Sequence, residues 1–412
     1  MSIEQETSLE AQSHERQKHV PNQLTQRTRA VHAGENRDGN TRPLVTPIYQ
    51  STAFASDEAG ISSERHECGE PSYSRDRFPN LRELEQAVAD LECADAGCAT
   101  SSGMAAISLI CLTFLSAGDH VVLAEGSYCD TAELLSEVFG KFGVDVTVVS
   151  VAEGGCVESA ITPRTRLLLA ETIANPSMTV PDLDALADTA HRHDVLLCVD
   201  NTFATPIFCR PIEHGADLVV HSATKFLGGH HDLTAGVVVG FAPLIDRLQT
   251  TGYLVGTLPG AMDAWLALRG IRTLAPRMTW IAQTAGVVAR ALEGHPAIAE
   301  VRYPGTASGT KAEIIQRMLP DGAGGMLAIQ LAGGDAATET LISALRLIPY
   351  VPSLGGVTTS VCYPPRSLEA REQERQANGW LRFSIGLESP EDLIADITQA
   401  LAAIEDESRE RG

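Results

Sequence analysis

The apolar positions of the chain fall into two alternating patterns. Between stretches with helical periodicity lie short runs that are apolar at nearly every position: HVVLAE (120–125), VDVTVVS (144–150), RLLLAET (166–172), VLLCVD (195–200), DLVVHSA (217–223) and AGVVVG (235–240). Runs with no polar face fit strands that are buried on both sides. Such strands, separated by helices, are typical of a mostly parallel sheet covered on both faces. We therefore predict an α/β fold with a central sheet of about seven strands.

The pattern changes towards both ends of the chain. Residues 1–26 are polar and charged, which predicts a disordered tail, and residues 27–56 are rich in Thr and Pro, which predicts an extended arm. After a long helical stretch from residue 259, the segments GGMLAIQLAG and WLRFSIGLE mix helix and strand character before a final amphipathic helix. We predict three parts: tail and arm (1–60), a large domain (61–262) and a smaller C-terminal α/β domain (263–412).

Composition and charge exclude several classes of function. The 412 residues carry 53 acidic against 31 basic side chains, a net charge of −22, so nucleic acid and anionic membrane surfaces are not expected partners. The nine cysteines lack C-x-x-C spacing, and His pairs such as His230 and His231 lack further ligands, so neither a disulfide framework nor a metal site is expected. With no signal peptide or membrane-spanning run recognisable, we expect a cytoplasmic protein.

Candidate chemistry lies where predicted strands end. In ATSSGMAAISLICL, Gly103 and Met104 open an apolar helix whose free N–H groups can bind phosphate, although a plain serine cap explains the same letters. Asp200 ends VLLCVD; it can meet a cationic partner or simply cap the next turn, and no P-loop is present to make it a magnesium ligand. Parallel strands end at one sheet edge, so these residues are expected to lie together.

The stretch HSATKFLGGHHD adds a lysine to that edge. Lys225 follows the strand DLVVHSA, where partial desolvation favours an unprotonated amine that can attack an aldehyde. The hydroxyls of Ser222 and Thr224 suit a phosphate. Pyridoxal phosphate combines a phosphate, an aldehyde and a ring nitrogen that needs a counter-charge. We therefore predict that Lys225 holds this cofactor as a Schiff base and that Asp200 keeps its ring nitrogen protonated.

These and other stretches resemble one enzyme family. The matching segments, in chain order, are YSRDRFPN, SSGMAAI, ETIANP, VDNTFATP, HSATKFLGGHHD, AWLALRGIRTL, SLGG and LRFSIGLE. They resemble the cystathionine γ-synthase and γ-lyase family, which includes methionine γ-lyase, within the fold-type I pyridoxal phosphate enzymes. The resemblance runs from about Val31 to the C-terminal helix.

The resemblance implies roles for individual residues. It implies a phosphate cradle of Gly103, Met104, Ser222 and Thr224 around the cofactor of Lys225. Tyr73 and Arg75 would reach the phosphate of a neighbouring subunit's cofactor, which implies a homotetramer of two catalytic dimers.

The resemblance also implies which residues contact the substrate, a small molecule of the amino-acid class. Tyr128 would stack on the cofactor ring and assist proton transfer at the γ-leaving group, and Asn175 would lie beside the cofactor's phenolic oxygen. Arg382, aided by Ser353, would clamp the α-carboxylate of the substrate.

The chain departs from the family pattern at positions that bear on the substrate. Cys129 and Asp130 follow the tyrosine, where the family has Gly and then Gly or Cys; Pro352 occupies a specificity position, and Thr358 replaces a glutamate. A desolvated carboxylate seeks a positive partner, so Asp130 suggests a γ-substituted amino acid with a basic distal group, such as canavanine. The alternative is that Asp130 only caps the following helix.

Three functions remain open from the sequence. A γ-elimination enzyme would release a keto acid and ammonia, or homoserine where water replaces the leaving group. A γ-replacement enzyme would join a nucleophile to an O-acylated homoserine. A pyridoxal phosphate-binding protein without catalysis is disfavoured, because Lys225, Asp200, Tyr128 and Arg382 are all present. We favour the lyase.

Overall fold

The structure is a computed structural model of the chain. It describes residues 24–34, 43–55, 71–151, 156–364 and 378–410.

A seven-stranded sheet forms the centre of the molecule. Its strands are β1 Ala96–Thr100, β2 His120–Ala124, β3 Asp145–Val149, β4 Thr165–Glu171, β5 Leu196–Asp200, β6 Leu218–Ser222 and β7 Gly236–Gly240. Their order across the sheet is β1-β7-β6-β5-β4-β2-β3, and β7 alone runs antiparallel to its neighbours. All other strands of this sheet therefore end at the same edge, where ligands bind in open α/β sheets.

Both faces of this sheet are buried, as the continuous apolar runs require. Along β5 and β6, Val199 and Val219 belong to one hydrophobic cluster, whereas Cys198 and Leu218 belong to another on the opposite face. A strand buried on both sides needs apolar residues at every position, because successive side chains alternate between the faces.

Helices cover the two faces of the sheet and also occur in the C-terminal part of the chain. Their bounds are α1 Gln26–Val31, α2 Pro79–Glu92, α3 Gly103–Phe114, α4 Cys129–Glu133, α5 Cys156–Ala160, α6 Leu183–Arg192, α7 Thr205–Phe208, α8 Ala242–Val255, α9 Ala261–Ile271, α10 Leu274–Leu292, α11 Thr310–Met318, α12 Gly334–Ala344 and α13 Pro390–Glu410. A π-helical segment, Leu134–Phe139, continues α4, and 3-10 turns lie at Ser74–Asp76, Gly140–Phe142, Pro211–His214 and Pro304–Thr306.

The C-terminal part contains a smaller, antiparallel sheet. Its strands are β8 Ile298–Arg302, β9 Met326–Leu331, β10 Ser360–Cys362 and β11 Trp380–Ser384, in the order β10-β11-β9-β8. Helix α13 packs against α12 and α10. In β11, Arg382 pairs with Ala328 of β9 and Cys362 of β10, so its main chain is fixed by strands on both sides.

The structure confirms the α/β class, the mostly parallel seven-stranded sheet and the smaller C-terminal sheet. Each of the six apolar runs forms a strand, β2 to β7. The sequence analysis missed β1, whose letters AGCAT include only short side chains.

The extended arm predicted for residues 27–56 is wrong at its beginning. Residues Gln26–Val31 form helix α1, because Ala30 is fully buried and the Gln26 side chain donates a hydrogen bond to the carbonyl of Leu91 in α2. Most of the predicted tail, residues 1–23, lies outside the described residues, and the predicted boundary at Met262 falls within α9.

Candidate active site

Several of the predicted site residues lie at the carboxyl edge of the large sheet. Asp200 and Ser222 are the last residues of β5 and β6, and Lys225 lies in the turn that follows β6. The Lys225 Nζ donates a hydrogen bond to the Oγ of Ser353, 3.1 Å away in the loop before β10. Burial lowers the pKa of Lys225, and the nearby Arg382 guanidinium lowers it further. This amine therefore loses its proton more readily than an exposed lysine.

The beginning of α3 lies directly against the end of β6. A Cβ added to Gly103 would be only 2.8 Å from the Cβ of Ser222, so no other residue fits without a shift. The Ser102 Oγ caps α3 by accepting a hydrogen bond from the Ala105 N–H at 3.0 Å. The predicted serine cap is present, and the first residue of the helix, Gly103, lies beside the side chain of Ser222.

The segment around Thr224 is tied to the beginning of β7. The Thr224 Oγ1 accepts a hydrogen bond from the Ala235 N–H at 3.1 Å, and the Thr224 N–H donates to the Ala235 carbonyl at 3.2 Å. The Ser222 N–H donates to the Oγ1 of Thr202 at 2.9 Å. Ser222 and Thr224 are therefore held in place by hydrogen bonds to residues next to the ends of β5 and β7.

The surroundings of Asp200 have opposite effects on its pKa. Burial raises its pKa, whereas hydrogen bonds from Thr202 and the proximity of His221 lower it. One of these bonds runs from the Thr202 N–H to Oδ1 at 2.9 Å. A cationic ring nitrogen next to this carboxylate would remove the cost of burying its charge.

Arg382 is a buried cation whose described partners are neutral. It is only 4% exposed, and its Nη1 donates to the Oδ1 of Asn175 at 3.0 Å while its Nη2 contacts the Sγ of Cys362 at 3.1 Å. Among the described residues, its Nε has no hydrogen-bond partner. A buried guanidinium with an unpaired N–H and no carboxylate beside it fits an anion supplied from outside, such as a substrate carboxylate.

Tyr128 and Asp130 are joined through their side chains. The Tyr128 hydroxyl donates to the Oδ2 of Asp130 at 2.7 Å, and the Cys129 thiol donates to Oδ1 at 3.3 Å. Burial raises the pKa of Tyr128, and the Asp130 carboxylate raises it further. The sequence left open whether Asp130 caps α4; in the structure its carboxylate accepts side-chain hydrogens instead.

Three predicted residues lie outside this group of contacts. Tyr73 is 43% exposed, and the Arg75 guanidinium stacks on the ring of Tyr253 at 4.6 Å. Pro352 is also exposed, next to Ser353.

Sequence reasoning missed Glu171 and Arg277. The Glu171 carboxylate accepts the main-chain N–H of Tyr128 at 2.6 Å and that of Asn175 at 3.0 Å. Glu171 is the last-but-one residue of the apolar run RLLLAET, and Asp200 ends VLLCVD, so a similar strand-end pattern could have found it.

Arg277 fixes the turn that contains Lys225 through hydrogen bonds to main-chain carbonyls. It is 5% exposed and donates to the carbonyls of Phe226 at 2.8 Å and Gly270 at 2.8 Å. Burial lowers its pKa to about 10. The sequence gives no signal for this role, because the arginine lies in a helix 51 residues after Phe226.

Comparison with known proteins identifies the family. The model of the Cys/Met metabolism PLP-dependent enzymes matches residues 27–402. The chain belongs to this family. It is 40% identical over 390 residues to L-methionine gamma-lyase of Pseudomonas deceptionensis, covering 92% of this chain and 97% of the relative. It is 38% identical to cystathionine gamma-lyase of Bacillus subtilis, covering 92% of this chain and 100% of the relative.

A solved structure of the same family has the same fold. Cystathionine gamma synthase from Xanthomonas oryzae, in complex with aminoacrylate and cysteine, superposes with a TM-score of 0.86 at 32% identity, covering 93% of this chain and 99% of that one. The protein is thus a pyridoxal phosphate-dependent enzyme of the γ-lyase and γ-synthase family. Among the described residues, no helix is long and apolar enough to cross a membrane.

The residues present fit the family's cofactor. The Lys225 amine has a lowered pKa, the first residue of α3, Gly103, lies tightly against Ser222, and Asp200 supplies a carboxylate at the same edge. When bound, pyridoxal phosphate accepts the electrons released when a proton leaves the Cα of an amino acid.

Proposed function

We propose that the enzyme is a γ-lyase for an L-amino acid whose γ-substituent is basic or donates hydrogen bonds, canavanine being one such compound. The observation that carries this proposal is the hydrogen bond between the Tyr128 hydroxyl and the Asp130 carboxylate. If Tyr128 acts at the γ-leaving group, as the family resemblance implies, this bond puts a carboxylate at the same end of the substrate.

The proposed roles of the cofactor-binding residues follow from their positions. Lys225 would bind the cofactor aldehyde, and Asp200 would pair with the ring nitrogen. Four residues at the sheet edge would hold the phosphate, namely Gly103, Met104, Ser222 and Thr224.

The substrate would be oriented by Arg382 and Asn175. The Arg382 guanidinium binds the α-carboxylate, with its unpaired Nε as one donor, and the Asn175 Oδ1 keeps the guanidinium in place. Ser353, which accepts from the Lys225 Nζ, keeps that amine near the same end of the site. The lowered pKa of Lys225 favours the neutral amine, which can take the proton from the substrate Cα.

Tyr128 and Asp130 would act together at the other end. A raised pKa keeps the Tyr128 hydroxyl protonated, so it can donate its proton to a departing γ-group. The Asp130 oxygens accept one hydroxyl and one thiol hydrogen, which leaves lone pairs for a guanidinium-like substituent. The neutral thioether of methionine offers no hydrogen to this carboxylate.

The test of the substrate class is the variant Asp130→Asn. We expect the ratio of kcat/KM for canavanine to that for methionine to fall about 10-fold or more, since a hydrogen bond to a charged group contributes about 1.5–3 kcal/mol. The matched control is Asp90→Asn, which changes an exposed carboxylate of α2 that accepts a hydrogen bond from the Gln86 side chain. An unchanged ratio in Asp130→Asn would refute the role of Asp130 and the basic substrate class with it.

A second candidate activity is γ-replacement. It is favoured by the similarity to the Xanthomonas cystathionine gamma synthase, whose TM-score is 0.86. Incubation with O-acetylhomoserine and cysteine separates the two activities: cystathionine as the main product indicates replacement, whereas keto acid and ammonia indicate elimination.

We also propose that the active unit is a homotetramer of two catalytic dimers. The half-exposed Tyr73 and the apolar side chains of Leu254 and Met262, 74% and 50% exposed, support a surface that is covered in the assembly. Mixing an Arg75→Ala variant with a Lys225→Ala variant tests shared sites, because hybrid dimers regain activity only if Arg75 serves the neighbour's cofactor.

The thiols of Cys98, Cys111 and Cys198, which are free, support a cytoplasmic location.

A further inference from the structure

Glu171 contacts two loops of the site at once. It is the last residue of β4, and its Oε1 accepts the Tyr128 N–H at 2.6 Å while its Oε2 accepts the Asn175 N–H at 3.0 Å. We propose that Glu171 is a positioning residue for the reaction, which fixes the main chain of Tyr128 and Asn175 relative to the sheet. This inference rests on the proposed roles of those two residues.

The strand supplies a rigid anchor for this contact. Strand β4 lies inside the sheet between β5 and β2, and Glu171 itself is paired with Asp200 of β5, so its main chain is fixed by the sheet. Tyr128, by contrast, precedes the short helix α4, where the first N–H groups have no partner within the helix. The carboxylate satisfies one of these groups and fixes the direction in which the tyrosine side chain leaves the loop.

Through Tyr128 and Asn175, Glu171 is connected to the residues proposed to act at the two ends of the substrate. On one side, Tyr128 carries the hydroxyl that reaches Asp130. On the other side, the Oδ1 of Asn175 accepts the Nη1 of Arg382 at 3.0 Å. A displacement of Glu171 would therefore change the placement of the proton donor and of the carboxylate-binding guanidinium together.

The neighbouring Asp200 bears on the choice of variant. Glu171 and Asp200 are partners in the ladder between β4 and β5. Burial and this like-charged neighbour raise the pKa of Glu171 well above its ordinary value. Glutamine is therefore a close match in shape and charge to a protonated Glu171, but its amide NH₂ cannot accept an N–H, so Glu171→Gln removes one of the two hydrogen bonds.

The experiment compares Glu171→Gln with Asp396→Asn in the cofactor-loaded enzyme and in the protein stripped of cofactor. Asp396 is the matched control, because it is also a buried carboxylate that accepts main-chain N–H groups, those of Arg346, Leu347 and Ile348, but outside the site. Two quantities are measured: kcat and KM, and amide hydrogen exchange in the peptides that contain Tyr128 and Asn175.

For Glu171→Gln we expect kcat to fall about 10- to 100-fold and exchange at one or both of these peptides to rise about 10-fold, in the stripped protein as well. For Asp396→Asn we expect lower resistance to urea with neither change. If Glu171→Gln does not fold, Glu171→Asp, which keeps the carboxylate but shortens its reach, is judged by the same two measurements.

Two results would overturn the inference in different ways. Lower urea resistance with wild-type kcat and unchanged exchange at both peptides would make Glu171 a residue of the fold only. Faster exchange with unchanged kcat would show that the hydrogen bonds exist but that the proposed roles of Tyr128 and Asn175 fail.

Discussion

The Nη1 of Arg382 lies 3.0 Å from the Oδ1 of Asn175, and this contact joins the small C-terminal sheet to the carboxyl edge of the large one. Because Arg382 is buried and its Nε is unpaired among the described residues, the guanidinium is oriented but not neutralised. A planar cation held in this way suits two-point binding of a carboxylate.

We predict that Arg382→Lys lowers kcat/KM about 10- to 100-fold, mostly through a higher KM. A lysine keeps the charge but cannot form two parallel hydrogen bonds, and one such bond to a charged group contributes about 1.5–3 kcal/mol. Steady-state kinetics measure this loss. The control is Arg302→Lys. Arg302 lies in β8, and its guanidinium stacks on the ring of Trp380 at 4.0 Å; Trp380 is in β11, the strand of Arg382. Equal KM values in Arg382→Lys and wild type would refute carboxylate binding by Arg382.

We predict that Gly103→Ala weakens cofactor binding about 10-fold. The new Cβ would be 2.8 Å from the Cβ of Ser222, so α3 has to move away from the end of β6, at a cost of about 1–3 kcal/mol. Titration of the stripped protein with pyridoxal phosphate, followed by visible absorbance, measures the change. Gly140→Ala is the control, because the nearest atom to its added Cβ is 3.7 Å away. Wild-type affinity in Gly103→Ala would place the phosphate elsewhere.

We predict that Asp130→Asn lowers the pKa of Tyr128. Burial raises this pKa and the Asp130 carboxylate raises it further, so removal of the negative charge takes away one of the causes that raise it. The alkaline rise in tyrosinate absorbance, taken as the difference between each protein and the same protein with Tyr128→Phe, reports this one group. Tyr128 should ionise at lower pH in Asp130→Asn than in the parent. Coincident curves would mean that the two side chains do not interact in solution.

Much of the fold, and the positions of several residues at strand ends, could be predicted from the sequence. Apolar runs without a polar face predicted β2 to β7, and the rule that parallel strands end at one edge predicted that Asp200, Ser222 and Lys225 lie at the same edge. Helix α1 was not predicted, because its stability comes from packing Ala30 against α2 and not from its own letters.

Contacts across long stretches of chain could not be predicted. Asn175 and Arg382 are 207 residues apart, and only the folded arrangement of both sheets places one amide beside one guanidinium. The bond from Tyr128 to Asp130 spans two residues, yet it depends on the direction of both side chains at the start of α4, which the sequence pattern does not give. Glu171 was missed although its position at a strand end matches that of Asp200.

The most direct test of the proposed γ-lyase is an absorbance scan of the purified enzyme during titration with canavanine, methionine, cystathionine and O-acetylhomoserine, with assays of keto acid, ammonia and homoserine. We predict that canavanine changes the visible band of the bound cofactor and forms product with a higher kcat/KM than methionine, and that both the band and the products disappear in Lys225→Ala. A band that responds to methionine or cystathionine but not to canavanine would contradict the substrate class assigned through Asp130. A band that persists in Lys225→Ala would contradict the site itself.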